Sequence, residues 1–349
     1  MTIFSGSWRR LLLVWLAIAA TALPVPYLSQ QPGPVFNTLG SLGEQDFIEI
    51  TNAETYPTSG QLDMTTVREV GGPQRTITLG EAVYGWLNPD ISVIPRRANY
   101  PDDITAEQAR TQSTRAFASS QEIALGAVLR ELGIPFTENV FVVDVISDRP
   151  AALFLKSNDQ ILSVNGVQVN SIGGTIEEVR KTSPGNKATI VILRDDSELV
   201  FEIPTVAAPD SESAGSIGAF LTSEINSEIE ANFADQRVGG PSAGLVFALA
   251  IYDQLTLGEL VGNAHIAVTG TITTTGEVGS IGGIRQKMIG AKKAGATVFL
   301  LPIDNCAEAV QRIPAGLRAI PVKTLREAIS VLEKLKSDAS GDLPSCSAG

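Results

Sequence analysis

The sequence has few of the side chains that most often build metal sites and nucleophilic active sites. Its 349 residues include one histidine, two cysteines and three methionines. A structural zinc site needs four ligands, which are usually cysteine and histidine, so we expect no metal and no other cofactor. The length is nevertheless sufficient for two or three domains with sizeable cores.

Positive charge is also scarce. The chain has 26 Lys and Arg residues against 38 Asp and Glu residues, a formal net charge of -12. Binding to a phosphate backbone needs a basic patch, and none is visible, so nucleic acid is not expected as a partner. The sequence also lacks a Gly-x-x-x-x-Gly-Lys-Ser/Thr phosphate loop, so any reaction is expected to be independent of ATP.

The first 29 residues have the character of an export signal. Trp8-Arg9-Arg10 precedes an apolar run over residues 11–23, and apolar residues continue past two prolines to Leu28. Over 11–28 the run is just long enough to span a bilayer, whereas over 11–23 it has the length of a signal-peptide core. We expect an uncleaved single-pass transmembrane helix within residues 1–29, with the arginines in the cytoplasm and the rest of the chain outside it.

A serine at a predicted helix start is the first candidate for chemistry. Ser242 follows Gly239-Gly240-Pro241 and precedes an apolar run to Tyr252, which predicts a helix buried on every face. Unpaired N–H groups and the helix dipole at that end favour an oxyanion. Glycine at 239 and 240 allows the backbone to approach a substrate carbonyl closely.

The serine needs a base, because its hydroxyl is a poor nucleophile until a proton is removed. His265, the single histidine, lies in an alternating, strand-like run, where we interpret it as structural. A lysine serves as the base only if burial lowers its pKa, since desolvation disfavours the charged form. Most helical lysines are solvated, but Lys287 shares its helical face with small or apolar residues at 283, 284, 291 and 294, so it is the predicted base.

Three ordered motifs resemble the proteolytic domain of Lon-type peptidases. They are Gly-Pro-Ser-Ala-Gly around Ser242, the pair Thr269-Gly270, and Ile-Gly-Gly-Ile-Arg-Gln-Lys ending at Lys287. The resemblance implies a Ser-Lys dyad with Ser242 as the nucleophile and Lys287 as the general base. It also implies that Thr269 orients the lysine, with Gly240 and Ala243 supporting the site.

The sequence departs from the ATP-driven members of that family at two positions. Gly239 stands where they usually have an acidic residue, and Thr271 replaces the glutamate after Thr-Gly. The dyad is retained, but arrangements tied to their hexameric assembly do not transfer directly. A homo-oligomer is therefore expected only by analogy.

Residues 133–206 resemble a PDZ domain. An apolar strand-like run over 140–146 is followed by Pro-Ala-Ala and by a run ending in Val-Asn-Gly at Gly166, with Asn158 in place of the usual glycine. PDZ domains bind extended peptide ends by strand addition, and the alternative is a purely structural domain. The predicted groove is lined by Val140, Val142, Ile176 and Val179.

The predicted fold class is multidomain α/β, because helices and strands alternate in the Lon-like region and the PDZ-like region is α+β. The expected divisions, after the N-terminal helix, are membrane-proximal strands and a helical segment (30–132), the PDZ domain (133–206), a polar linker (207–215), the Lon-like domain (216–337) and a tail (338–349).

The two cysteines lie in the last part of the chain. Cys306 follows the Lon-like motifs and Cys346 lies in the tail, so a disulfide that pins the tail is plausible in an oxidising compartment. Two unpaired thiols are the alternative.

These features together predict a membrane-anchored, ATP-independent serine endopeptidase that cleaves protein or peptide substrates outside the cytoplasm, with the PDZ domain selecting them. A non-catalytic envelope scaffold, in which the PDZ domain binds the C-termini of partners, is the alternative from a different class. A Ser-His hydrolase built on His265 is the weakest hypothesis.

Overall fold

A computed structural model describes residues 15, 19–100, 104–208, 211–234, 238–337 and 343–346. Most of the predicted membrane helix therefore lies outside the described residues, as do parts of the predicted tail. Within those ranges, no helix is both long enough and apolar enough to cross a membrane.

The described residues form a mixed α/β structure. The strands in chain order are β1 (Pro24–Val25), β2 (Tyr27–Asn37), β3 (Ser41–Leu42), β4 (Gln45–Asp46), β5 (Ile48–Thr51), β6 (Gln61–Val70), β7 (Ile77–Thr78), β8 (Ser92–Pro95), β9 (Thr137–Val145), β10 (Gln160–Val164), β11 (Val167–Gln168), β12 (Lys187–Arg194), β13 (Ser197–Pro204), β14 (Val206–Ala208), β15 (Ser211–Ser216), β16 (Ala219–Asn226), β17 (Glu230–Phe233), β18 (His265–Val268), β19 (Thr271–Ile272), β20 (Val278–Gly279), β21 (Val298–Pro302) and β22 (Arg318–Val322). The α-helices are α1 (Leu79–Leu87), α2 (Ala106–Leu132), α3 (Ile172–Arg180), α4 (Gly244–Leu255), α5 (Ile284–Ala294), α6 (Cys306–Ala309) and α7 (Leu325–Ser337). Short 3-10 helices cover Arg96–Ala98, Pro150–Leu153, Ile303–Asn305 and Val310–Arg312.

The first large sheet has the strand order β22-β21-β18-β6-β2-β8. β18 runs parallel to β21 and β6, whereas β2 runs antiparallel to β6 and β8. Half of this sheet therefore comes from the first 100 residues and half from the Lon-like region. The prediction of a separate membrane-proximal region over residues 30–132 is wrong, because its strands complete the sheet that carries the Lon-like motifs.

The boundary of the predicted membrane helix at residue 29 is also wrong. Leu28 lies in β2, pairs with Ile94 of β8 and is 0% exposed in the core. The alternation of apolar residues beyond the two prolines thus marks a sheet strand. The apolar N-terminal run ends at Leu23, immediately before β1.

Helix α4 is the centre of the core, as its unbroken apolar sequence predicts. Residues 244–251 are all buried, and Phe247 is 0% exposed. The ring of Phe247 packs against three other rings, with centroid distances of 6.3 Å to Phe47, 5.6 Å to Phe117 and 4.9 Å to Phe233. These contacts join the N-terminal strands, α2 and β17 into one core.

The second large sheet builds the PDZ-like unit, with the order β13-β12-β10-β9-β16. Asn158 adopts φ 72°, the left-handed conformation expected where a PDZ domain usually has glycine. The unit extends beyond the predicted boundary at residue 206, because β16 pairs along the whole of β9. The predicted linker at 207–215 is not a loop, since most of it forms the antiparallel β14–β15 hairpin.

The tail is attached to the Lon-like region. Cys306 and Cys346 form a disulfide, and Leu343 is buried in the main core. Of the two alternatives left by the sequence, the structure has the disulfide.

Candidate active site

The turn that carries Ser242 is fixed from both sides. Gly240, at φ 85°, donates its N–H to the carbonyl of Ser113 in α2 at 2.9 Å. The carbonyl of Ser242 accepts the N–H of Gly270 at 3.0 Å and the hydroxyl of Thr269 at 3.2 Å. The serine is therefore held between α2 and the chain that leaves the carboxyl end of β18.

Helix α5 places Lys287 against that turn. The helix begins after Gly283, whose φ of 69° suits glycine and whose position leaves no room for a side chain, since an added Cβ would lie 2.8 Å from Val67 Cγ2. Lys287 is one turn further on and is 3% exposed. The apolar helical face predicted from the sequence is confirmed at Ile284 and Ala291, which are completely buried, but not at Ala294, which is exposed at the end of the helix.

The amine of Lys287 makes two close polar contacts. Its Nζ lies 2.8 Å from Ser242 Oγ and donates to the carbonyl oxygen of Thr65 at 2.8 Å. Burial lowers the pKa of Lys287 from 10.5 to about 7, because the charged form loses its hydration. A neutral amine has one lone pair, and the contact to Thr65 occupies an N–H, so the lone pair is free to accept the serine proton.

The predicted oxyanion donors lie at the start of α4. This helix begins at Gly244, with Ala243 as its N-cap residue. The backbone N–H groups of Ser242 and Ala243 make no hydrogen bond within the described part of the chain, so both are available to a substrate oxygen. A Cβ on Gly240 would meet no atom within 4 Å, which leaves this side of the turn open. The assignment of these groups to the oxyanion stays a prediction.

Thr269 has a different role from the one predicted. The expectation was that its hydroxyl would hold the lysine amine, but Thr269 Oγ1 donates to the carbonyl of Ser242 instead. The group that orients Lys287 is the Thr65 carbonyl on the neighbouring strand β6. Thr269, which is 0% exposed, thus positions the nucleophile and not the base.

His265 does not take part in the site. It lies at the beginning of β18, whereas the active-site residues follow the end of that strand. Its Nε2 is 2.6 Å from Oδ2 of Asp63, which is buried in β6. The hypothesis of a Ser-His hydrolase is therefore wrong, because the base in contact with Ser242 is Lys287 and the histidine is hydrogen-bonded to Asp63.

The predicted peptide groove is wrong in one of its two walls. Val140 and Val142 are buried in the core of the PDZ-like unit, and their strand is covered by β10 on one edge and β16 on the other. Ile176 and Val179, from the other predicted wall, line a groove of about 230 Å³, and their role in peptide binding stays a prediction. The opposite wall of this groove is the segment 215–221, at the start of the edge strand β16.

Two residues of the site were not found from the sequence. Thr65 and Ser113 act through their backbone carbonyls, which every residue type has, so the sequence does not distinguish them. Thr65 also lies 222 residues before Lys287. Ser113 also lies against Gly239: an added Cβ would lie 2.1 Å from Ser113 Oγ, so a side chain there would require the Ser113 hydroxyl to move.

Among the residues that the structure describes, no group of three or more His, Cys, Asp and Glu side chains is arranged to hold a metal ion. The dyad itself contains no metal ligand set, and its chemistry needs only the serine oxygen and the lysine nitrogen.

Comparison with known proteins agrees with this geometry. Residues 154–335 match the Lon protease (S16) C-terminal proteolytic domain. The Lon protease of Clostridioides difficile (strain 630) is 27% identical over 234 residues, covering 62% of this chain and 29% of that protein. The Lon protease of Chloroflexus aurantiacus (strain ATCC 29366 / DSM 635 / J-10-fl) is 31% identical over 233 residues, covering 60% of this chain and 28% of that protein.

Among solved structures, the PDZ domain of an SdrC-like protein from Listeria monocytogenes is 25% identical, with a TM-score of 0.22. The match covers 24% of this chain and 85% of the Listeria chain. The chain belongs to the Lon protease (S16) C-terminal proteolytic domain family, a family of serine peptidases with a Ser-Lys dyad. Besides the sheet that carries the dyad, the described residues form a second large sheet in a mixed α/β structure. The chain spans less than a third of the length of these two curated relatives.

The lowered pKa of Lys287 predicts a pH-dependent stability difference between the wild type and Lys287→Met. Between about 7 and 10.5 the unfolded wild type binds more protons at this lysine than the folded form, so its unfolding free energy rises with pH across that window. The methionine variant lacks this contribution. Its stability relative to the wild type is therefore expected to be highest near pH 7 and to fall towards pH 10.

Urea unfolding of both proteins between pH 6 and about 10 measures this difference. Lys293→Met, which removes an exposed lysine of the same helix, is the matched control. A difference between Lys287→Met and the wild type that does not change with pH would contradict the lowered pKa.

Proposed function

We propose that this protein is a membrane-anchored, ATP-independent serine endopeptidase that cleaves proteins outside the cytoplasm. The observation that carries the proposal is the 2.8 Å contact between Ser242 Oγ and the buried amine of Lys287. A scaffold that needed only the fold would have no use for a buried lysine amine in contact with a serine hydroxyl. Burial of such a group costs stability, so its presence favours catalysis over the scaffold hypothesis.

The proposed mechanism uses the two dyad atoms in turn. Neutral Lys287 Nζ accepts the proton of Ser242 Oγ while that oxygen attacks a peptide carbonyl carbon. The N–H groups of Ser242 and Ala243 donate to the resulting oxyanion. Protonated Lys287 then gives its proton to the leaving amine, the C–N bond breaks, and the acyl group remains on Ser242. Lys287 Nζ then accepts a proton from water while the water oxygen attacks the acyl carbon; the C–Oγ bond breaks, the lysine returns the proton to Ser242 Oγ, and the released acid ionises to a carboxylate.

The PDZ-like unit is proposed to capture extended segments of substrates. The groove between α3 and residues 215–221 is lined by apolar side chains, among them Ile176 and Leu221. β16 is the edge strand of its sheet, so its first residues are suited to pairing with an added strand. Because the chain has no phosphate loop, unfolding by ATP is not part of the proposal, and substrates are expected to be extended or locally unfolded.

Membrane anchoring is proposed from the apolar run that ends at Leu23. The arginines at 9 and 10 precede that run, which favours a cytoplasmic N-terminus and an extracytoplasmic catalytic region. The disulfide between Cys306 and Cys346 supports an oxidising compartment.

Substitution of the dyad tests the catalytic proposal. Ser242→Ala, Lys287→Ala and Lys287→Arg are each expected to lower kcat/KM on an unfolded protein substrate by about a thousandfold or more. Arginine is included because it keeps the positive charge but is never neutral at working pH, so it cannot accept the proton. Cleavage is measured without ATP, and circular dichroism confirms that each variant is folded. Lys287→Arg with wild-type activity would contradict the role of the neutral amine.

The groove is tested with a pair of exposed residues in the PDZ-like unit. Ile176→Lys places a charge in the groove and is expected to raise KM for protein substrates by about tenfold, or ~1.4 kcal/mol, with little effect on short peptides. Val200→Lys is the control, because Val200 is 62% exposed on β13 at the other edge of the sheet. An equal loss on proteins and short peptides, or an equal effect of the two variants, argues against substrate capture by this groove.

A further inference from the structure

Helix α1 is built with its small residues inside and its large apolar residues outside. Ala82 and Gly85 face the body of the protein, and a Cβ on Gly85 would lie 2.4 Å from Val93 Cγ2. On the rest of the helix surface four large side chains are exposed to water: Val83 (41%), Tyr84 (63%), Trp86 (55%) and Leu87 (80%). A soluble protein gains nothing by this arrangement, because the hydrophobic effect favours the reverse one.

This apolar face, residues 83, 84, 86 and 87, lies next to the end of the N-terminal apolar run. The N–H of Leu79, the first residue of α1, donates to the carbonyl of Leu23 at 2.8 Å. β1 pairs with β7, which leads directly into the helix. The rings of Trp86 and Tyr27 are also in contact, with their centroids 5.8 Å apart. Leu23 itself is 57% exposed. The apolar face thus continues the surface on which the apolar run ends.

The end of that run places the body of the protein close to a bilayer. Leu23 is followed directly by β1, which belongs to the described body of the protein. If the run enters the bilayer, the residues that follow it therefore lie at or near the headgroup region. Tryptophan and tyrosine are the side chains most enriched at that depth.

Arginines border the apolar face although the chain as a whole is acidic. Arg285 and Arg312 both donate to the carbonyl of Pro89, two residues after the end of α1. Guanidinium groups at the margin of an apolar surface suit the phosphate groups of anionic lipids.

We propose that α1 is an interfacial helix whose apolar face lies in the headgroup region of an anionic lipid bilayer. This inference rests on the proposed membrane anchor and adds a second, independent contact with the lipid. The helix, the aromatic side chains and the bordering arginines fix the catalytic region against the membrane surface. A second copy of the chain or another protein on this face is the competing occupant, and the test distinguishes it.

Spin labelling of the full chain in vesicles tests the proposal. Both native cysteines are in the disulfide, so a single introduced thiol is labelled selectively. Leu87→Cys probes the apolar face, Trp15→Cys probes the proposed anchor, and Leu257→Cys, at a residue 80% exposed after α4, is the control in water. In vesicles of phosphatidylglycerol and phosphatidylcholine, collisions with oxygen report lipid and collisions with a nickel chelate report water.

We expect the oxygen-to-chelate ratio at residue 87 to rise to that of residue 15 and to exceed that at residue 257. The ratio at 87 is expected to fall in phosphatidylcholine alone, and an unchanged ratio would exclude a contribution from the arginines. A water-like label at 87 with a lipid-like label at 15 overturns the inference but not the anchor. Water-like labels at both positions overturn both. A label at 87 shielded from both reagents shows a protein on this face and overturns the lipid contact.

Discussion

A buried amine held between a serine hydroxyl and a backbone carbonyl is the interaction on which the active site depends. Lys287 is almost completely buried, and its Nζ contacts Ser242 Oγ and the carbonyl of Thr65. Burial is the cause that lowers its pKa to about 7. The side chains packed around α5 exclude water from Lys287 and thereby lower its pKa. Its amine can therefore be neutral and act as a base near neutral pH.

The contact between Lys287 and the Thr65 carbonyl depends on the sheet that the N-terminal strands form with the Lon-like motifs. The carbonyl that orients the amine belongs to β6, and β6 pairs with β18, whose end leads to Thr269. Helix α2 adds a second connection, because it touches both the nucleophile turn and the PDZ-like unit. Its Ser113 carbonyl accepts the N–H of Gly240 at 2.9 Å, and its Ser119 hydroxyl accepts from Thr222 of β16 at 2.8 Å.

The side-chain chemistry of the site was predictable from the sequence, whereas its backbone partners were not. Ser242 and Lys287 are marked by glycine-rich turns and by a helical face of small residues, so motif and periodicity find them. The carbonyl of Thr65 has no such mark, because any residue supplies one. Thr269 was assigned to the lysine, but the turn of the chain after β18 directs its hydroxyl to the Ser242 carbonyl. The groove was misplaced because β16, which comes after the predicted linker, covers the edge of β9. Pairing between distant strands is not visible in local periodicity.

The most direct test of the account is the titration of Lys287 itself. NMR of the protein with 15N-labelled lysine, with Lys287→Arg used to assign the signal, reports the protonation of Nζ as a function of pH. The account predicts that the Lys287 signal titrates with a pKa near 7, well below the value of 10.5 for a solvated lysine. Titration near 10.5 in the folded protein would contradict it, because the amine would then be charged at neutral pH and unable to accept the proton of Ser242.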